Sequence, residues 1–207
     1  FIFIFANNPK ADEVLIYADN ISYDSDKNII AKGNAKIVKN GEIIISDLII
    51  YNSKNKSFIL PTEFTFKDSL NNYYLGSSGM FDVNIKNGEI DNVKMLLSDG
   101  TRIVGKKVIR KDNIDIISKG VYTQCKSRIK IKDFVCPIWQ LEGEKILHDY
   151  DNLFLYQKHA KMRFLNVPVF YLPYLVTPSP LRKKRKSGFL APTLSFNFID
   201  AKTSQNA

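Results

Sequence analysis

The side chains able to hold a metal or attack a substrate are few: Cys125, Cys136, His148 and His159 are the only cysteines and histidines among 207 residues. A structural zinc site takes about four nitrogen or sulfur ligands at close spacing. Neither the cysteines nor the histidines follow a C-x2-C or H-x3-H pattern, so no metal and no cofactor is expected. Glycoside hydrolysis needs two carboxylates flanking a cleft. Here Asp24, Asp47 and Asp149 recur at turn positions of a repeated unit, where carboxylates cap loops. The chain therefore reads as a non-enzyme, and the alternative within that reading is a lectin-like, carbohydrate-binding β-protein. The remaining chemistry is charge. Thirty Lys and Arg against twenty-one Asp and Glu give +9, which suits an anionic partner. Five of the cations fall in one run, Arg182, Lys183, Lys184, Arg185 and Lys186. Such a run is a single contact point or a solvated loop. Its cations are not interleaved with stacking aromatics on a strand face, and no nucleic-acid partner is expected.

Elements that would position these groups are strands. With 44% hydrophobic and 25% charged residues the chain is that of a folded domain, and it lacks an apolar stretch of about eighteen residues that would cross a membrane as a helix. From residue 14 to about 162 it consists of short β-branched runs punctuated by Asn40-Gly41, Asn87-Gly88 and Asp99-Gly100, each read as a turn. Apolar positions nowhere recur at three and four, so no helix is expected. The opening Phe1-Ile2-Phe3-Ile4-Phe5-Ala6 lacks polar partner positions and reads as the remnant of a secretion signal over residues 1–11; a first buried strand is the other reading. Export permits a disulfide, making Cys125 and Cys136 a candidate pair, with two buried free thiols as the alternative.

The strand pattern repeats. Ala18, Ile21, Tyr23 and Asp24, followed by Ala35 and Ile37, return as Gly143, Ile146, His148 and Asp149, followed by Ala160 and Met162. Ile29-Ile30-Ala31-Lys32-Gly33 returns as Ile116-Ile117-Ser118-Lys119-Gly120, and Val38-Lys39-Asn40-Gly41-Glu42-Ile43 as Ile85-Lys86-Asn87-Gly88-Glu89-Ile90. Each unit has the length of a hairpin, and repeated hairpins stack into a packed barrel or into a folded sheet with an apolar trough. The small residues Ala18, Ala35, Gly143 and Ala160 either leave volume for a ligand on the inner face or serve tight packing between strands. After Met162 the character changes. Pro168, Pro173, Pro178 and Pro180 among aromatics remove ladder donors, so this segment is an edge or an extended connector. Residues 187–198 alternate like one more strand.

Late in the chain several motifs occur in one order: Cys136-Pro137-Ile138-Trp139-Gln140-Leu141, Ile146-Leu147-His148-Asp149, Ala160-Lys161-Met162-Arg163-Phe164, Val167-Pro168-Val169-Phe170-Tyr171-Leu172-Pro173-Tyr174 and Arg185-Lys186-Ser187-Gly188-Phe189-Leu190-Ala191-Pro192. Together they resemble the organic-solvent-tolerance (OstA, LptD) family of lipopolysaccharide-assembly outer-membrane proteins. The resemblance implies an all-β periplasmic β-jellyroll, or β-taco, over residues 12–165, a Pro-aromatic and basic connector over 166–186, and the start of an outer-membrane barrel over 187–207. It implies a non-catalytic apolar groove that takes lipopolysaccharide from a periplasmic bridge protein and passes it to a barrel. The expected groove residues are Ile21, Tyr23, Ile37, Ile45, Ile49 and Tyr51. The edge strand accepting the bridge protein by β-augmentation is expected at Val14, Ile16 and Ala18. Arg182, Lys183 and Arg185 are expected to meet glycolipid phosphates. Cys125 matches the family's amino-terminal disulfide cysteine, whose partners lie late in the barrel; pairing with Cys136 stays open. One barrel strand cannot span a membrane, since barrels close with about eight strands or more. The expectation is a truncated or split form at the periplasmic face of the outer membrane, with a lipoprotein plug as partner only where a barrel is present.

Overall fold

In the computed structural model, which describes residues 14–124, 128–131 and 134–182, the chain is a meander of antiparallel strands with no helix among the described residues. In chain order these are β1 (Leu15–Tyr17), β2 (Asn20–Tyr23), β3 (Ile29–Lys39), β4 (Glu42–Asn52), β5 (Ser57–Leu60), β6 (Phe64–Lys67), β7 (Tyr73–Gly76), β8 (Ser78–Asp82), β9 (Asn87–Leu96), β10 (Arg102–Lys111) and β11 (Ile114–Thr123). A small separate hairpin, β12 (Arg128–Ile131) with β13 (Phe134–Pro137), precedes β14 (Trp139–Asp149), β15 (Phe154–Phe164) and β16 (Val167–Pro178). The all-β expectation holds. The long strands pair with their sequence neighbours, as expected of stacked hairpins: β3 with β4, β9 with β10, β10 with β11, β14 with β15 and β15 with β16, while β11 reaches across the small hairpin to β14 and the short strands β5 and β7 pair β8 and β9 respectively.

The long strands share one level at which the ladder is lost. Pairing skips from Lys32–Leu48 to Ala35–Ser46, from Val104–Val121 to Lys107–Ser118, from Glu142–Lys161 to Lys145–Lys158 and from Lys158–Tyr174 to Ala160–Leu172. At this level Asn34, Asn92, Lys119 and His159 have φ of 45°, 48°, 50° and 51°, the left-handed conformation that bends a strand. The breaks align into a crease. Gly33, at φ 76°, belongs to it, and a Cβ there would lie 2.6 Å from the Asp19 carboxylate. Pro173 faces the bulge at His159 on the edge strand β16, where no ladder bond is lost.

The crease divides the sheet into two wings. The upper wing holds β1, β6 and β7, the lower holds β2, β5 and β8, and each long strand contributes half its length to both. The wings face each other across one core. Phe64 and Phe66 of the upper wing meet Phe81 of the lower, with ring centroids 6.0 and 5.4 Å apart. Small residues at the crease are packed: Ala35 and Ala160 are buried, and a Cβ on Gly143 would sit 3.0 Å from Ile146. Of the two roles open to them, tight packing is what these side chains do.

Turn chemistry agrees with the sequence at Asn40-Gly41, with φ of 47° and 83°, and at Asp99-Gly100, where Asp99 Oδ1 accepts from the Thr101 amide at 3.0 Å. Asn87-Gly88 instead lies inside β9. Asp82 Oδ1 accepts from the amides of Lys86 and Asn87 at 2.9 and 3.2 Å, closing the turn earlier, around Ile85 at φ 59°. Gly88 is there for space, because a Cβ would stand 2.5 Å from the Met80 carbonyl oxygen.

Candidate functional site

The space between the wings is the feature with functional content. Paired residues on adjacent strands share a face, so the register gives its lining. The upper wall runs Ile37, Ile44, Phe66, Tyr74, Met95, Ile103, Tyr122, Leu141 and Met162. Nearest the crease the lower wall runs Leu60, Gly79, Ile90, Val108, Ile117, Ile146, Gln157 and Leu175. Along its rim the lower wall runs Tyr51, Phe58, Phe81, Gly88, Arg110, Asp115, His148, Leu155 and Thr177, passing from aromatic to polar. The interior is thus an apolar strip lying across the strands.

Opposite the crease, the wing rims are held together by a buried polar latch. Arg110 Nε donates to Asp115 Oδ1 at 2.8 Å, and its Nη2 donates to Asp115 Oδ2 at 2.9 Å and to the Tyr74 hydroxyl at 2.6 Å. The Tyr150 hydroxyl donates to Asp115 Oδ2 at 3.0 Å and lies 2.9 Å from that of Tyr74. Tyr74 belongs to the upper wing, whereas Arg110 and Asp115 belong to the lower. The guanidinium also lies over the Phe66 and Tyr74 rings, at 5.1 and 4.7 Å. Burial pushes the Asp115 carboxyl pKa up, but the charge and hydrogen bonds of Arg110 and the bond from Tyr150 outweigh it, so the net direction is down. Burial likewise opposes the Arg110 charge and Asp115 overcomes it, leaving that pKa raised. Both phenols are raised, chiefly by burial. A second tie is Lys39 Nζ, which donates to the Val83 carbonyl at 3.1 Å and to Asn84 Oδ1 at 2.8 Å across the same seam.

His148 lies one strand beyond the latch, opposite Asp115, with Nε2 2.8 Å from Ser179 Oγ. Burial lowers its pKa to about 4 against the opposing pull of Asp115 and Asp149. The unfolded chain therefore takes up this proton below about pH 6.5 while the folded chain refuses it until about pH 4. Stability should be complete above pH 6.5 and fall by roughly 3 kcal/mol as pH drops through that window. Urea unfolding at pH 7 and pH 4.5 measures it, and His148→Gln should flatten the slope.

No family model matches the chain. Among curated proteins it is 24% identical over 184 residues to the LPS-assembly protein LptD of Neisseria meningitidis serogroup B, covering 89% of this chain and 22% of that protein. It is 25% identical over 187 residues to the LptD of Alcanivorax borkumensis, with 90% and 23% covered, and 28% identical over 181 residues to that of Bordetella pertussis, with 85% and 21% covered. The chain is similar to these LPS-assembly proteins over 85–90% of its own length. It spans between a fifth and a quarter of the length of the LptD relatives it matches. Among solved structures, LptH, the LptA-homologous periplasmic component of the lipopolysaccharide transport device of Pseudomonas aeruginosa, matches 47% of this chain and 75% of its own at 10% identity and a TM-score of 0.41.

Against the LptD expectations, the groove residues divide. Ile37 and Ile49 are buried on the inner face, and Tyr51 packs on Phe58 with centroids 5.2 Å apart. Ile21 pairs Ala31, which pairs Ile49, and Tyr23 pairs Ile29, which pairs Tyr51. Both therefore face inward, yet they are 49% and 73% exposed because β2 is the open end of the strip. Ile45 is a correction. It pairs Lys36 and Thr65 on the outer face at 48% exposure, while Ile44 beside it is fully buried. A run of three isoleucines, Ile43, Ile44 and Ile45, carries no alternation from which to read the face.

The partner-edge residues Val14, Ile16 and Ala18 pack against the core. β1 and β2 both pair β3 and form the first edge of the sheet. The basic run is mostly outside the description: Lys183 and Arg185 lie beyond the described residues, and Arg182 packs over the Phe154 ring at 4.5 Å while donating to the Asn152 carbonyl at 3.1 Å. Cys125 also lies outside the described residues, and the backbone of Cys136 sits in β13. The signal remnant at 1–11 and the barrel strand at 187–198 lie outside them too. The Pro-aromatic segment expected as edge or connector forms β16, the last edge. Asp24 and Asp149 cap turns as expected, whereas Asp47 is exposed within β4 at the crease. The latch residues Arg110, Asp115, Tyr74 and Tyr150 were not legible as a site. Their one trace is Asp115 inside Ile114-Asp115-Ile116-Ile117, a charge at an inward position of an apolar run.

Proposed function

We propose that this chain carries lipopolysaccharide as a non-catalytic component of its assembly at the outer membrane, with the acyl chains held between the two wings. The observation that supports this most is the inner strip. It is apolar from one sheet edge toward the other, and it ends in inward-facing, exposed Ile21 and Tyr23 at the β1–β2 edge. Each acyl CH2 removed from water gains about 0.8 kcal/mol, so such a strip holds lipid without any covalent chemistry. Similarity to LPS-assembly proteins supports lipopolysaccharide as the lipid. The β1–β2 edge would accept a strand of a periplasmic bridge protein, placing the donor at the exposed end of the strip. Arg182, Lys183 and Arg185 would meet phosphates of the glycolipid.

Because the inner side chains of the two wings are in contact, lipid can pass only when the rims part. Cysteines at Lys39 and Asn84, bridged by a short bifunctional thiol reagent, should hold the seam shut. Uptake of labelled lipopolysaccharide by the bridged protein should stop and return on reductive release of the bridge. Uptake that is unchanged while the bridge is intact would contradict the reading.

A further inference from the structure

The lower wall changes character toward β16 in a way the latch does not account for. His148, Gln157 and Thr177 lie on three successive strands, β14, β15 and β16. Leu155 pairs His148 on one side and Thr177 on the other, and Gln157 stands two residues further along β15, between Ile146 and Leu175. All three are buried, at 0%, 0% and 6% exposure. His148 Nδ1, both amide atoms of Gln157 and Thr177 Oγ1 have no hydrogen-bond partner in the protein. A wall built only to pack would carry leucine or valine here, as the neighbouring Ile146, Leu155 and Leu175 do, because a buried polar group without a partner is costly.

The chemistry of these groups restricts what they would take. An imidazole nitrogen, a primary amide and a hydroxyl offer donors and acceptors but no charge. Burial keeps the imidazole neutral at physiological pH. The buried guanidinium of Arg110, separated from His148 by the strand of Asp115, is committed to Asp115 and offers no free counter-charge to a phosphate or carboxylate. A neutral hydrogen-bonding group borne on an apolar chain fits both the polar atoms and the aliphatic residues between them.

We propose that His148, Gln157 and Thr177 form a polar station within the apolar strip that recognises the hydroxyl of a hydroxylated acyl chain. The proposal rests on the reading that the strip carries acyl chains. Its test is competition of myristate and of β-hydroxymyristate against a fluorescent fatty acid on the whole chain. The hydroxylated chain should bind about tenfold tighter, the ratio of one well-placed hydrogen bond. Gln157→Leu with Thr177→Val should bring the two lipids to parity while myristate still binds, and should raise the melting temperature of the free protein. Gln157→Met alone, which nearly conserves volume, serves if the double variant does not fold and should reduce the preference. Equal affinities in the unaltered protein, or a preference that survives these substitutions, would overturn the station and leave the acyl strip standing. Failure of both lipids to bind would overturn the acyl strip and the station with it.

Discussion

Replacing Arg110 with methionine is expected to cost about 3–5 kcal/mol, because it leaves Asp115 buried and charged with its main partner removed. The pair itself stabilises far less than that figure, since both ions lost their hydration on folding. Removing both partners tests this directly: Arg110→Met with Asp115→Leu should recover most of the loss. In that double variant the Tyr74 and Tyr150 hydroxyls keep each other, 2.9 Å apart, and Tyr74 keeps Asp68 Oδ2 at 3.2 Å. The single variant should also show a deficit that shrinks as pH falls, because Asp115 without Arg110 escapes its burial cost by taking a proton. Urea midpoints of the three proteins at two pH values check both statements. A deficit in the single variant below about 1 kcal/mol would mean the rims are not held by this contact.

The second large effect lies in the aromatic contact between the wings. Phe81 is fully buried on the lower wing and meets Phe64 edge-on and Phe66 at a tilt on the upper. Truncating it to alanine should cost about 3–5 kcal/mol, through lost transfer energy and the cavity left behind. Met80 is its chain neighbour but sits on the outer face at 47% exposure, and Met80→Ala should stay within about 0.5 kcal/mol. The contrast between adjacent residues tests the assignment of faces on β8. Because Arg110 lies over Phe66, which touches Phe81, the two losses should not add.

The strand content and the hairpin repeat were legible because period-two patterning and local turn chemistry are short-range. Asn40-Gly41 is a two-residue turn that needs left-handed backbone at both positions, and these residues supply it. The repeat of Ile29–Gly33 in Ile116–Gly120 runs into the crease in both copies, with the left-handed residue at Gly33 in one and one position earlier, at Lys119, in the other. Asn87-Gly88 carried the same turn signal and misled, because the Asp82 carboxylate settles the turn and Gly88 answers to a neighbouring strand. The latch could not be read locally. Tyr74 and Arg110 are 36 positions apart and Tyr74 and Tyr150 are 76 apart. Only the folding of one wing onto the other brings them together, and the stretch from Arg110 to Asp115 read alone is a charged surface turn. Ile44 and Ile45 fail for the opposite reason, since neighbours of one type give no phase.

That pair of residues offers the most direct test of the account, which holds that lipid travels between the wings and not over their outer surface. A light-activated amino acid placed at Ile44, buried on the upper inner wall, and separately at Ile45, exposed on the outer face, would be irradiated in cells making lipopolysaccharide. A lipopolysaccharide adduct is expected at position 44 and none at position 45. An adduct at 45 with none at 44, in proteins folded and present at equal levels, would contradict it.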